Sequence, residues 1–249
     1  MNQKIDMKDF KFNKEGHYYE LDGKRMYGIT NVLNVIAKPA LIGWAARMAC
    51  EYVKNSKVWE LVPNTPRKIM IGDKELDTLL EEAKNAHRKK KEDAADKGHD
   101  IHETIETLVL EAIKGTGGYL QVQSDNPQVQ HFIDWAVKNN IKFLESEKQL
   151  YNEDLFIAGT VDLVFEKDGK TYIGDIKTYA KLWDRTPMLQ CAAYGLMYEK
   201  MFGKKIDGYC VLLLTKTGEF KEQWSYDVSG DTEGFLAAHK LFKTLENWN

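Results

Sequence analysis

Two periodicities divide the chain. Up to about residue 140 the apolar positions recur mainly with helical spacing; beyond it they alternate as in strands. Residues 10–28 stand apart from the first pattern. HYYELDGKRMYG alternates around Asp22-Gly23 and predicts a hairpin. Thr30 is placed to cap a short helix, ITNVLNVI, that stops before Pro39. PALIGWAARMACEYV predicts a second helix with proline at its first position, where a missing N–H costs nothing. Residues 55–66, with Pro63 and Pro66, predict a loop. From 73 to 114 the pattern is helical and highly charged, with a break expected near Asp96–Gly98, and another amphipathic helix covers 126–140.

From 141 onward IKFLESEKQLY, LFIAGTVDLVFE and TYIGDIKT predict successive strands. A helix over about 184–203, strands at 206–215 and 220–227, and a last helix over 231–247 follow. The order is β-β-β-α-β-β-α, and the long helix between the third and fourth strands implies a parallel crossover. The expected fold class is α/β (α+β): a central mixed β-sheet flanked by helices, preceded by a mostly helical N-terminal half. The expected division is 1–95 for the hairpin and helical region and 96–249 for the sheet domain.

One turn sharpens this picture. Asp168-Gly169 separates two β-prone runs, and Asp-Gly is the strongest short signal for a two-residue hairpin loop. Lys167 then pairs with Lys170. Counting back puts Leu163 opposite Gly174, Phe165 opposite Tyr172 and Val161 opposite Ile176 on one apolar face. Thr160/Lys177, Asp162/Asp175 and Val164/Ile173 lie on the other. Two carboxylates about 5 Å apart at Cβ repel by roughly 3 kcal/mol at an intermediate dielectric. A proton on one acid, a neighbouring cation or a bound metal ion would relieve them. Lys177 neutralising a purely structural pair is the plainest alternative.

Composition changes the picture only by exclusion. With 249 residues, 43% apolar and 29% charged, the chain resembles an ordinary globular protein. A net charge of −3 disfavours non-specific coating of nucleic acid but permits a local basic groove. No apolar run reaches bilayer length and no signal-peptide core opens the chain, so a cytoplasmic protein without membrane partners is expected. Cys50, Cys191 and Cys210 show neither disulfide nor zinc spacing. No phosphate-binding G-x-x-x-x-G-K-[ST] loop occurs, so no nucleotide cofactor is expected.

An Asp followed by Asp-x-Lys on the next strand suits metal-assisted phosphodiester hydrolysis. The acids hold a divalent cation that activates water, and the amine offsets developing phosphate charge. The segments GTVDLV, DIKT, QCAAY (Gln190 to Tyr194) and, upstream, KGHDIH occur in an order that resembles the RecB-type branch of the PD-(D/E)XK nucleases, over roughly residues 97–215. YGITNVLNVIAKPALIGWAARMA resembles the leader of phage-encoded relatives. The resemblance implies a restriction-endonuclease-like core and a DNA exonuclease of phage or bacterial recombination and repair, in a bacterial host cytoplasm. It implies Asp162, Asp175 and Lys177 as catalytic residues. His102, Asp162, Asp175 and the backbone carbonyl of Ile176 would be the metal ligands. Gln190 and Tyr194 would contact DNA, and Glu147 matches an acidic position ahead of the G-x-x-D strand.

Other residues keep two readings. Glu106, one helical turn from His102, could orient the imidazole or be a surface charge. Trp183 could stack on an unpaired base or pack in the core. The run RKKK at 88–91 could grip phosphates or be a solvated helix face. The expected cofactor is Mg²⁺ or Mn²⁺. Relatives with an iron–sulfur cluster carry four cysteines around the core, and this chain has three, so no cluster is expected. Expected partners are DNA and a recombination protein such as a single-strand-annealing protein, with residues 1–95 guiding DNA to the site. A structure-specific endonuclease for flaps or branches, and a non-catalytic DNA-binding protein on the same fold, are the competing readings.

Overall fold

The computed structural model describes residues 9–56, 72–178, 184–215 and 218–246; at 93–98 it describes the backbone alone. Its centre is the predicted hairpin. β6 (Ile157–Lys167) and β7 (Lys170–Lys177) pair antiparallel in the expected register, from Lys167/Lys170 to Leu163/Gly174. Asp168 at φ 52° and Gly169 at φ 73° give the turn its two positive-φ residues. β5 (Lys142–Asn152) lies antiparallel along β6. α5 (Thr186–Phe202) then carries the chain across to β8 (Gly208–Leu214), which is parallel to β7, and β9 (Phe220–Ser225) pairs antiparallel with β8. The class is α+β, with a mixed sheet flanked by helices and a helical N-terminal half.

Helices cover both faces. On one, α5 and α6 (Val228–Glu246) bury Val164, Ile173 and Val211 together with Met197 and Phe235. On the other, α4 (Pro127–Lys138) and the C-terminal turns of α3 (Asp73–Gly115) bury Leu163, Phe165 and Leu212 with Val109, Phe132 and Ile133. The Asn126 side chain caps α4 by accepting from the Gln128 and Val129 N–H groups. α5 ends at Gly203, whose φ of 66° is the left-handed cap that glycine adopts without penalty.

The N-terminal strands join this body. β1 (Phe10–Asn13), β2 (Tyr18–Leu21) and β3 (Lys24–Arg25) form a small antiparallel sheet. β4 (Tyr27–Gly28) runs parallel to the start of β6, a pairing the sequence pattern does not announce. Because β5 lines one edge of β6 from end to end, β4 and β7 must share the other edge. The compact units are 1–36 with 100–249, and 37–99. The second unit holds α2 (Pro39–Lys54) and the N-terminal part of α3, joined by a Tyr52–Glu82 hydrogen bond of 2.8 Å and an edge contact of Trp44 with His87. Among the described residues no helix is long and apolar enough to cross a membrane.

Three local expectations are corrected. The helix α1 (Ile29–Leu33) starts from Gly28, so Thr30 lies inside it and caps nothing. α3 runs unbroken through 96–98, because one glycine costs only about 1 kcal/mol among good helix formers. Val161 packs with Val164 and Ile173 rather than with Leu163 and Phe165, so the alternation of β6 breaks at Asp162.

Candidate metal centre

That break is where the site forms. The β6–β7 ladder stops at Leu163/Gly174, one pair short of Asp162/Asp175. Asp162 instead turns its carboxylate on the neighbouring strand, and its Oδ2 accepts the Ile176 N–H at 2.7 Å. The side chain thus takes the place of a ladder carbonyl at the point where the regular pairing of β6 with β7 ends. Ile176 enters the site through this N–H.

On the other side of β6, the ladder with β5 runs regularly through Ser146/Leu163 and Lys148/Val161, which brackets Glu147 with Asp162. Ser146 donates its hydroxyl to the Asp162 carbonyl at 3.3 Å. Glu147 has φ 46°, a left-handed conformation inside a strand and a rare one for a residue with a side chain. Such strain persists only where the surroundings over-determine it, and it gathers at functional sites. Here it accompanies a carboxylate aimed beside Asp162. His102 reaches the same place from α3, with Nδ1 at 3.7 Å from Asp162 Oδ2 and 4.0 Å from Glu147 Oε1.

His102, Glu147 and Asp162 each bring one ligand atom within 4.8 Å of the other two. The group could hold a metal ion. Two carboxylates and an imidazole, all half-buried, make a donor set that divalent cations accept. The charges of this group act on one another. Burial pushes the Asp162 carboxyl up, with Glu147 adding to it and His102 and Lys177 opposing. For His102, burial works against the charged ring, but Glu147 and Asp162 outweigh it and the net shift is upward.

Asp175 sits beside this group and outside it. Its side chain is fully buried, and Oδ1 receives Lys177 Nζ at 2.7 Å. Oδ2 has no hydrogen-bond partner among the described residues. Burial raises its pKa from 3.8 to about 6; Lys177 opposes this and Asp162 reinforces it. A buried carboxylate oxygen without a partner is costly, and a second positive charge would satisfy it.

Lys177 also donates to Gln190 Oε1 at 3.4 Å, and Gln190 Nε2 donates to the Tyr194 hydroxyl at 3.0 Å. Tyr194 is only 5% exposed and packs onto β6 where a Cβ on Gly159 would stand 2.8 Å from its ring. The helix face i, i+4 is the expected one. Tyr194 is buried, with its hydroxyl on the Gln190 amide. Glu106 is half-buried one turn along α3, and the charges acting most on His102 are those of Asp162, Lys177 and Glu147. Trp183 lies outside the described residues. Lys89, Lys90 and Lys91 are exposed, as a solvated helix face requires.

The structure therefore brings His102, Glu147 and Asp162 together, with Asp175, Lys177 and Gln190 adjoining. Glu147 is the residue the pattern underrates. Its register depends on a β5–β6 connection that lacks a two-residue turn, so only an assumed antiparallel pairing could place it.

Glu147→Gly provides a test of the strain. Glycine adopts this φ freely, so metal-free stability should hold or rise by up to ~1 kcal/mol, while Mn²⁺ affinity falls. Thermal melts and calorimetric titration check the two halves separately.

Comparison with known proteins adds no identity to this geometry. No protein-family model matches the chain, and no curated protein does. Among solved structures, the one described as "Crystal structure of SSO0001" aligns with 46% of this chain and 56% of its own, at 12% identity and a TM-score of 0.27. The chain spans little more than half the length of that structure, and a likeness this slight carries no argument about fold or activity.

Proposed function

We propose that the chain is a metal-dependent DNA nuclease of the PD-(D/E)XK superfamily, in its RecB-like branch, hydrolysing phosphodiester bonds at DNA ends. The observation that supports this most is the convergence of His102, Glu147 and Asp162 beside an Asp175–Lys177 pair on the adjoining strand. A cluster of acids alone would suit a structural ion. An amine held against a buried carboxylate next to the cluster suits phosphoryl chemistry.

Each residue has a role in that reading. His102, Glu147 and Asp162 hold the cation. Mg²⁺ is the default ion by abundance, and the imidazole makes Mn²⁺ a good fit as well. When bound, the ion lowers the pKa of water and neutralises phosphate charge. Lys177 is held by Asp175 and Gln190 where it can orient water or a phosphate oxygen. Asp175 keeps that amine in place, and Tyr194 fixes the Gln190 amide from behind.

The test is degradation of end-labelled linear DNA with Mg²⁺ or Mn²⁺ by the full chain, beside Lys177→Ala and Asp175→Ala. Both variants should lose at least about a hundredfold in rate. Undiminished hydrolysis in both ends the mechanism. Cleavage of branched but not linear substrates would move the assignment to a structure-specific endonuclease. Absence of any divalent-ion binding would favour a non-catalytic DNA-binding protein.

A further inference from the structure

The N-terminal sheet meets the metal-centre strands at a polar contact. Tyr19, on β2, is only 9% exposed, and its hydroxyl lies 2.7 Å from Thr160 Oγ1 on β6. Thr160 stands two residues before Asp162, a separation of about 7 Å along a strand. Across the ladder Thr160 pairs with Gln149, two residues after Glu147. The Tyr19 contact therefore falls one pleat step from both acids of the candidate centre, on the two strands that carry them.

Tyr19 is itself firmly held. Its ring lies 4.8 Å from Phe12 and stacks with Phe10 at 6.0 Å, and Phe10 stacks on Tyr151 of β5 at 4.5 Å. Its carbonyl accepts the Met26 N–H at 2.8 Å, and Leu21, Met26 and Ala158 complete a small core around it. On β6, between Ala158 and Thr160, Gly159 is packed by Tyr194 and Ile29. The stretch 158–160 is thus gripped by the N-terminal sheet as well as by α5 and α1. It leads directly into the irregular pair Glu147 and Asp162, whose geometry needs outside support because Glu147 is strained.

We propose that Tyr19 is a positioning residue of the metal centre, acting through Thr160 to hold the strand segments that present Asp162 and Glu147. Residues 10–28 are then part of the site's framework, which differs from a role in choosing the DNA that enters. This rests on the reading of His102, Glu147 and Asp162 as metal ligands.

The experiment is calorimetric titration of the full chain with Mn²⁺ alone, comparing the natural protein with Tyr19→Phe, Thr160→Val, the double variant, Thr160→Ser and Asp162→Asn. Tyr19→Phe keeps the ring and removes the hydroxyl. Its Mn²⁺ dissociation constant should rise about tenfold, as outer partners of metal ligands usually cause, while Tm falls by only about 2–4 °C. A merely structural hydrogen bond would move Tm and leave the affinity of the folded protein unchanged. Thr160→Val and the double variant should show the same tenfold loss, since one bond is removed in each. Thr160→Ser, which keeps a hydroxyl, should restore affinity.

Unchanged Mn²⁺ affinity in Tyr19→Phe, with Asp162→Asn weakened, overturns the proposal alone. Multiplying losses in the double variant overturn it too. Equal binding by the natural protein and Asp162→Asn, or none by either, overturns the metal-centre reading and this proposal with it.

Discussion

Asp162→Asn should lower divalent-metal-dependent DNA hydrolysis about a thousandfold, corresponding to ~4 kcal/mol of lost transition-state stabilisation. The fold should survive, because an asparagine oxygen can still accept the Ile176 N–H that Asp162 Oδ2 takes at 2.7 Å. What disappears is one of two carboxylate charges in the three-residue centre, on the strand position where both neighbouring strands converge. The loss should fall on kcat and on Mn²⁺ affinity together. An Asp162→Asn protein with native circular dichroism and full activity would leave the cluster of His102, Glu147 and Asp162 without a catalytic role. Lys177→Ala, by contrast, should lower kcat while Mn²⁺ still binds, since Lys177 supplies charge rather than a ligand.

Asp175→Asn should make the metal-free protein more stable. The carboxyl is fully buried and its pKa is raised from 3.8 to about 6, chiefly by burial. A carboxyl raised on folding takes up protons more readily in the native state. Stability therefore falls as pH rises from about 4 through 6, and the full penalty is present above about 7. A rise of that size corresponds to something on the order of 3 kcal/mol. This already includes the attraction of Lys177, and the asparagine oxygen can still accept from Lys177 Nζ. In EDTA at pH 8 the variant should gain about 2–3 kcal/mol, or roughly 4–10 °C in Tm for a chain of this size. The gain should shrink below pH 6 and be nearly gone by about pH 4. Saturating Mn²⁺ should raise the Tm of the natural protein, by mass action on the folded state. Melts of both proteins across pH, with and without Mn²⁺, check the sign. A variant less stable than the natural protein at pH 8 in EDTA would show that Asp175 carries no such burden.

The two variants separate what the site needs from what it tolerates. Asp162 keeps a small exposure, 13% of its side chain. Asp175 is fully buried, holds Lys177 Nζ and leaves its second oxygen without a hydrogen-bond partner among the described residues. A residue that costs stability in this way is expected where function sets it.

The local chemistry of the chain was enough to determine a good deal. Asp168-Gly169 strongly favours a tight turn with two positive-φ residues, so the register of β6 and β7 followed from the turn, and five ladder pairs match it. The long apolar helix after Lys177 demanded a parallel crossover, and β8 lies parallel to β7. Those two features put Asp175, Lys177 and Gln190 near one another, since strand and helix periodicities are short-range.

Tertiary structure alone decided the rest, because it turns on competition between partners far apart in sequence. The carboxylate of Asp162 took the Ile176 N–H just where the β6–β7 ladder ends. Glu147 reached the centre through a strained backbone that no propensity favours, held by pairing across β5 and β6. The edge of β6 vacated by β7 was filled by Tyr27 and Gly28, and the hydroxyl of Tyr19 found Thr160 across 141 residues of chain. A periodic pattern states which face of a strand is apolar. It carries no information on which distant donor a single carboxylate or hydroxyl will meet once both faces of the sheet are covered.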